Sequence, residues 1–169
     1  MNTFLYFAYG SNMLNERLAA RCPSASPVGI AFAPNHALEF TKTGKDLSGK
    51  ATLFPQQGAH QYGVLFNINR NDLSALDKAE GAGFGYKRID AFPIICSPSG
   101  NEMFAITYLA IQTESDLKPF DWYLDLVIAG AKQHNLPKKQ ISSLQNTPYI
   151  VDTHTNRKGR LDALAALGK

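Results

Sequence analysis

Apolar residues near the start of the chain run Phe4, Leu5, Tyr6, Phe7, Ala8, Tyr9 and stop at Gly10. This aromatic-rich segment predicts a strand over 5–9. Asn12 then stands where an N-cap belongs, ahead of a helix carrying Leu14, Glu16 and Leu18. Val28, Ile30 and Phe32 alternate with small residues, as do Leu38 and Phe40, and each run closes in polar or glycine-containing turn residues, so two separate strands are expected. Segment 42–50, with Gly44, Ser48 and Gly49, reads as a mobile loop able to cover a pocket. Strands over 51–54 and 61–68 follow, the second with Tyr62, Val64, Phe66 and Ile68 on one side.

Asn69 or Asn71 is placed to cap a helix that runs to Ala79 or Glu80 and ends at Gly81. Beyond the glycine-rich stretch 81–85, the runs 86–95 and 103–111 pair as a hairpin across Ser97-Pro98-Ser99-Gly100, with Pro93 marking an edge or bulge. Phe120, Tyr123, Leu124, Val127, Ile128 and Ala131 recur at helical spacing up to about Asn135, and Pro137 starts a short second helix that buries Ile141 and Leu144. A last helix over 157–167 places Leu161 and Leu164 inward. Strands interrupted irregularly by helices, without sustained βαβ alternation, predict an α+β (mixed α/β) fold. Many short strands without a long parallel pattern point to a small β-barrel with peripheral helices, in one domain over 1–169 whose tail from about 150 is the least defined part.

Composition narrows the function classes. The chain of 169 residues is 44% hydrophobic and 18% charged, ordinary for a globular protein. It has no apolar run near the roughly 20 residues of a membrane span. The N-terminus lacks a basic leader region, and Cys22 and Cys96 have no paired spacing, so a cytoplasmic protein with reduced thiols and no membrane partner is expected. The net charge of +3 includes one dense basic cluster, Arg157-Lys158-Gly159-Arg160, which a solvated terminal helix explains as well as nucleic acid does. His36, His60, His134 and His154 show no metal-ligand spacing, and no metal site is expected. Neither a G-x-S-x-G elbow nor a phosphate loop occurs, which disfavours serine and nucleotide chemistry. The Phe4–Tyr6 stripe and Trp122 read as core.

The candidate chemistry begins at Glu80. At 100° per residue Leu73, Leu76 and Glu80 share one helix face, so the carboxylate is expected to point inward at a helix C-terminus. Burial and the helix dipole both favour its neutral form there, which suits a general acid/base. The bland alternative is a helix-end glutamate paired with Lys87 or Arg88. Asp77, one turn earlier, more naturally binds backbone or a basic residue and steadies the local structure. The Tyr9-Gly10-Ser11-Asn12 turn offers backbone N–H groups between a strand and a helix, a place for an anion, although any tight capped connection has the same form.

Three blocks carry a resemblance. Phe4-Leu5-Tyr6-Phe7-Ala8-Tyr9-Gly10-Ser11-Asn12-Met13, then Leu76-Asp77-Lys78-Ala79-Glu80-Gly81 followed by Tyr86, then Tyr123 ahead of Gly130-Ala131-Lys132 and Leu136-Pro137, closely resemble the γ-glutamylcyclotransferase family in order and approximate spacing, over about Phe4 to Leu144. The resemblance implies a small mixed α/β fold built round a barrel. It implies a substrate site lined by Tyr6, Phe7, Ala8, Tyr9, Gly10, Ser11, Tyr86 and Tyr123, with Glu80 as the catalytic acid/base and no cofactor. The implied reaction cyclises γ-glutamyl amines or amino acids to 5-oxoproline, a step of glutathione metabolism classed with transferases or lyases. The turn looks nearer the γ-glutamyl amino acid branch than the glutathione-specific one. Expected partners are a small γ-glutamyl substrate and no nucleic acid, in a monomer or homodimer. The rival readings are a noncatalytic module that binds a small acidic metabolite in the same pocket, and a nucleic-acid-binding domain using the C-terminal basic cluster.

Overall fold

The computed structural model describes residues 2–169. Strand β1 (Thr3–Ala8) leads through a 3₁₀ turn, Ser11–Met13, into the short helix α1 (Asn15–Ala19). Two long strands follow, β2 (Ser26–Thr43) and β3 (Gly49–Asn69), then helix α2 (Leu73–Glu80), the hairpin β4 (Tyr86–Ser97) and β5 (Glu102–Ala110), and helices α3 (Asp121–Gln133), α4 (Lys138–Gln145) and α5 (Lys158–Ala166). The five strands close into a barrel in the order β1-β3-β2-β4-β5, and β1 meets β5 in parallel through Tyr6 and Ile106. The α+β barrel expected from the sequence is therefore the fold found. No helix among the described residues is long and apolar enough to cross a membrane.

Where four short strands were expected between residues 28 and 68, two long antiparallel ones run. Their pairing slips between Pro27 and Gly29, Pro34 and His36, and Glu39 and Lys42. A bulge keeps a strand going past a residue that cannot donate to the ladder, so the prolines bend these strands and do not end them. Segment 42–50 is correspondingly not a loop of its own. Thr43 pairs with Gly49 and Lys42 with Lys50, leaving only 44–48 as a hairpin turn. Asp46 organises that turn, accepting from the Ser48 N–H at 3.0 Å, the Ser48 hydroxyl at 2.7 Å and the Lys50 ammonium at 3.0 Å.

The alternation along β1 supplies two layers of core. Phe7, fully buried, stacks on Phe92 with ring centroids 6.4 Å apart, while Tyr6 on the other face meets Tyr108 edge-on at 6.0 Å. Helix α3 turns Trp122, Tyr123, Leu126, Val127, Gly130 and Ala131 inward and packs against the 3₁₀ turn, α4 and α5. The C-terminal helix corrects one expectation: Ala163 is its buried residue, and Leu161 is half exposed.

Asp152 ties the tail to α3. Its buried carboxylate accepts from Trp122 Nε1 at 2.9 Å, Arg157 Nε at 2.7 Å and the His154 N–H at 3.0 Å. Burial alone raises a carboxyl, but these donors overcome it and hold Asp152 down from 3.8 to about 2. A depressed folded value stabilises the protein above the unfolded one, and that stability is lost as pH falls from about 4 toward 2. The contribution is about 2 kcal/mol. The melting temperature of the wild type is expected to drop more steeply than that of Asp152→Asn across this window; parallel curves would refute the assignment.

Candidate active site

The end of β1, the turn after it and the end of α2 converge on one small cavity. Tyr6, Tyr9, Gly10, Ser11, Asn12, Ala51, Glu80, Tyr86, Tyr108 and Tyr123 line it. Glu80 arrives there because α2 keeps its leucine face on the core, with Leu76 fully buried, and Gly81 stops the helix in the left-handed region at φ +64. Leu76 and Glu80, four residues apart, thus lie on one face, as the pattern required.

Asp77 anchors the same helix to the barrel. It accepts from Arg88 Nη1 at 2.5 Å and from the Tyr108 hydroxyl at 2.7 Å, so the last turn of α2 is tied to both β4 and β5. The steadying role expected of Asp77 is what these bonds provide. Arg88 is consequently engaged with Asp77 and Asp90, and the cation that meets Glu80 is Arg21.

Asn12 departs most from the sequence reading. It does not cap a helix, since α1 starts at Asn15 after an extended Leu14 and the 3₁₀ turn has no side-chain cap. Its side chain points into the site instead, almost fully buried. The amide nitrogen donates to the Tyr6 hydroxyl at 3.0 Å and to Glu80 Oε1 at 2.5 Å, while its oxygen accepts from Arg21 Nη1 at 2.8 Å. Both amide hydrogens and the carbonyl are thereby used, which fixes the orientation of the group. Arg21 also approaches Glu80 Oε1 at 3.4 Å. These two contacts, from Asn12 and Arg21, hold the Glu80 carboxylate in place. Among the described residues both fall on Oε1, and Oε2 makes no hydrogen bond.

The tyrosines form the walls. Tyr9 donates to the Tyr108 carbonyl, Tyr86 donates to the Ala51 carbonyl at 2.7 Å, and the Tyr123 oxygen accepts from the Ala51 N–H at 3.1 Å. Burial, the largest cause, pushes Tyr6, Tyr9 and Tyr86 well above the ordinary tyrosine value, and the charge of Glu80 adds to it in each case. Tyr108 and Tyr123 move the same way for the same first reason. All five are neutral hydroxyls at physiological pH. Among the described residues that line the cavity, Glu80 is the one carboxylate.

Of the residues expected at the site, Tyr6, Tyr9, Gly10, Ser11, Glu80, Tyr86 and Tyr123 are brought together. Phe7 and Ala8 are not among the lining: both are buried in β1, with the Phe7 ring in the core stack. Asn12 was expected in the turn but with its side chain as a cap, and Ala51, Tyr108 and Arg21 were missed. Asn12 and Tyr108 each carried a structural signal, a cap position and a strand alternation, that concealed their polar groups. Arg21 sits in a connection with no periodicity. Among the described residues no cluster of histidine, cysteine or acidic side chains is disposed to hold a metal ion.

A model of the AIG2-like family matches residues 60–144. A γ-glutamylcyclotransferase of Bos taurus is 35% identical over 156 residues, spanning 87% of this chain and 81% of that protein. The Homo sapiens γ-glutamylcyclotransferase has the same identity and coverage. A solved structure named as a γ-glutamyl cyclotransferase superimposes with a TM-score of 0.87 at 30% identity, covering 97% of this chain and 99% of that one.

Proposed function

The chain belongs to the AIG2-like family and is an enzyme of its γ-glutamylcyclotransferase type, and on that premise we propose that Glu80 is the proton shuttle of the reaction and that the Tyr9–Asn12 turn receives the γ-glutamyl group. The observation that carries the reading is the Glu80 carboxylate, held through Oε1 by Asn12 over a cavity whose other titratable lining groups are neutral tyrosines. The substrate's α-ammonium gives a proton to Glu80, and the freed amine attacks its own γ-carbonyl carbon to close a five-membered lactam. Glu80 then returns the proton to the departing nitrogen as the γ-amide bond breaks, and the second proton that the ring nitrogen sheds on forming the lactam ends on the released amine. The products are 5-oxoproline and a free amine or amino acid. Attack within one molecule gains the proximity that a bimolecular reaction lacks, so one well-placed carboxyl group suffices.

Two further contributions follow from groups left unspent. The first intra-turn bond of the 3₁₀ segment runs from the Met13 N–H to the Gly10 carbonyl at 3.1 Å, so the N–H groups of Gly10 and Ser11 are not consumed by it and suit the substrate's α-carboxylate. The Tyr6 and Tyr123 oxygens each accept one bond, which leaves their protons to donate to the oxyanion that develops at the γ-carbonyl. The free state of Cys22 and Cys96 suits a reducing cytoplasm.

Incubation with γ-glutamyl dipeptides, glutathione and γ-glutamyl polyamines or lysine, with 5-oxoproline measured, tests the reading. Release from γ-glutamyl amino acids, faster than from glutathione, is the expected result. No 5-oxoproline from any of these compounds would sink it.

A further inference from the structure

The cavity continues past Glu80. Ser11, Glu80, Tyr86 and Tyr123 also border a wider groove. Eight cations and three carboxylates line it. Several cations are already matched: Arg21 by Glu80, Lys50 by Asp46, Arg157 by Asp152 and Lys158 by Asp162. Arg17, Lys42, Lys45 and Lys78 form no ion pair among the described residues. Of these four, Lys45 and Lys78 are exposed, and Arg17 and Lys42 are half-buried.

Arg17 and Lys42 are built into the walls of the groove. The Arg17 Nε is buried without a hydrogen-bond partner, a costly state for a guanidinium nitrogen, and the residue lines the groove with no carboxylate beside it. Burial first, and then the like charge of Arg21, lowers Arg17 to about 10, so it stays cationic at neutral pH. Lys42 Nζ lies 5.0 Å from the centre of the Tyr86 ring and so close to the Gly85 backbone that a Cβ there would come within 2.7 Å of it. The ammonium is thus lodged beside a ring that also walls the inner cavity.

Resting on the cyclotransferase reading above, we propose that the leaving half of the preferred substrate carries two carboxylates, bound by Arg17 and Lys42, so that the enzyme favours γ-glutamyl conjugates of dicarboxylic amino acids. A neutral leaving amino acid supplies one carboxylate and leaves one of these two cations unmatched. A lysine or polyamine brings a positive charge into a groove that is already cationic.

Glutaryl-glutamate, glutaryl-alanine and glutaryl-lysine lack the attacking α-amine and cannot cyclise, so calorimetric titration reads the leaving side alone. Glutaryl-glutamate is expected to bind the wild type about ten-fold more tightly than glutaryl-alanine, as one added charge-assisted contact would give. Glutaryl-lysine should bind most weakly, and the spread should narrow with added salt. The glutamate-over-alanine ratio should fall toward one in Arg17→Met and in Lys42→Met, each of which keeps the apolar stem. Equal affinities in the wild type overturn the proposal, as does a ratio that survives both substitutions. If the glutaryl preference holds while γ-glutamyl-glutamate releases no 5-oxoproline, the groove assignment stands and the cyclotransferase reading is the one that fails.

Discussion

Replacing Glu80 with Gln is expected to lower 5-oxoproline release by about 10²- to 10⁴-fold, the usual worth of a positioned general acid/base. The substitution keeps the shape of the side chain and an oxygen that accepts from Asn12, whose bond to Glu80 Oε1 is 2.5 Å long. It removes the ion pair with Arg21, a 3.4 Å contact between side chains that are 23% and 14% exposed. Partly solvated pairs of this kind contribute about 1 kcal/mol or less. The melting temperature should therefore stay near that of the wild type while turnover collapses. Glu80→Asp keeps the carboxylate but withdraws it by one methylene, and should fall between the two. If Glu80→Gln turns over a good substrate at the wild-type rate, the proton is carried by some other group and the assignment is wrong.

That Glu80 was legible from sequence has a specific cause. A leucine-spaced helix ended by glycine is a local pattern, and its last residue can be placed on a face without knowledge of the rest of the fold. The same holds for the β4–β5 hairpin and for α3, whose signals also lie within a single element. What escaped was set by partners distant in sequence. Asn12 looked like a cap because caps and buried amides use the same residue types, and only the approach of Glu80, 68 positions on, distinguishes them. The β2–β3 ribbon read as four strands because the polar and glycine-containing residues that close each apolar run are local stop signals, while pairing to a partner strand is what carries the chain through them. Segment 42–50 read as a loop on Gly44, Ser48 and Gly49, although its ends pair across the ribbon and Asp46 engages the backbone and side chain of Ser48 and the ammonium of Lys50.

Through Asn12 the placement of Glu80, the proposed proton shuttle, depends on the seating of a short turn that packs against Gly130. A Cβ at position 130 would lie 2.6 Å from the Leu14 nitrogen and 2.7 and 2.8 Å from Met13 atoms, so α3 touches the chain at the end of the 3₁₀ turn with no room between them. Two effects of Gly130→Ala then oppose each other. Alanine improves helix propensity by about 1 kcal/mol. Overpacking a buried contact costs about 1–3 kcal/mol, and here the obstructing atoms include backbone that cannot rotate aside. Overpacking wins, and the helix and turn are forced apart. Because Ser11 and Asn12 ride on that turn, the shift reaches Glu80 through the Asn12 amide, and a displacement near 1 Å is enough to cost about 10²-fold in rate. Gly130→Ala is accordingly expected to lower both the melting temperature and kcat, with thermal unfolding and 5-oxoproline release measured on one preparation. A variant that melts higher than the wild type at full turnover would mean that the turn is not held by this contact and that Asn12 keeps Glu80 in place without it.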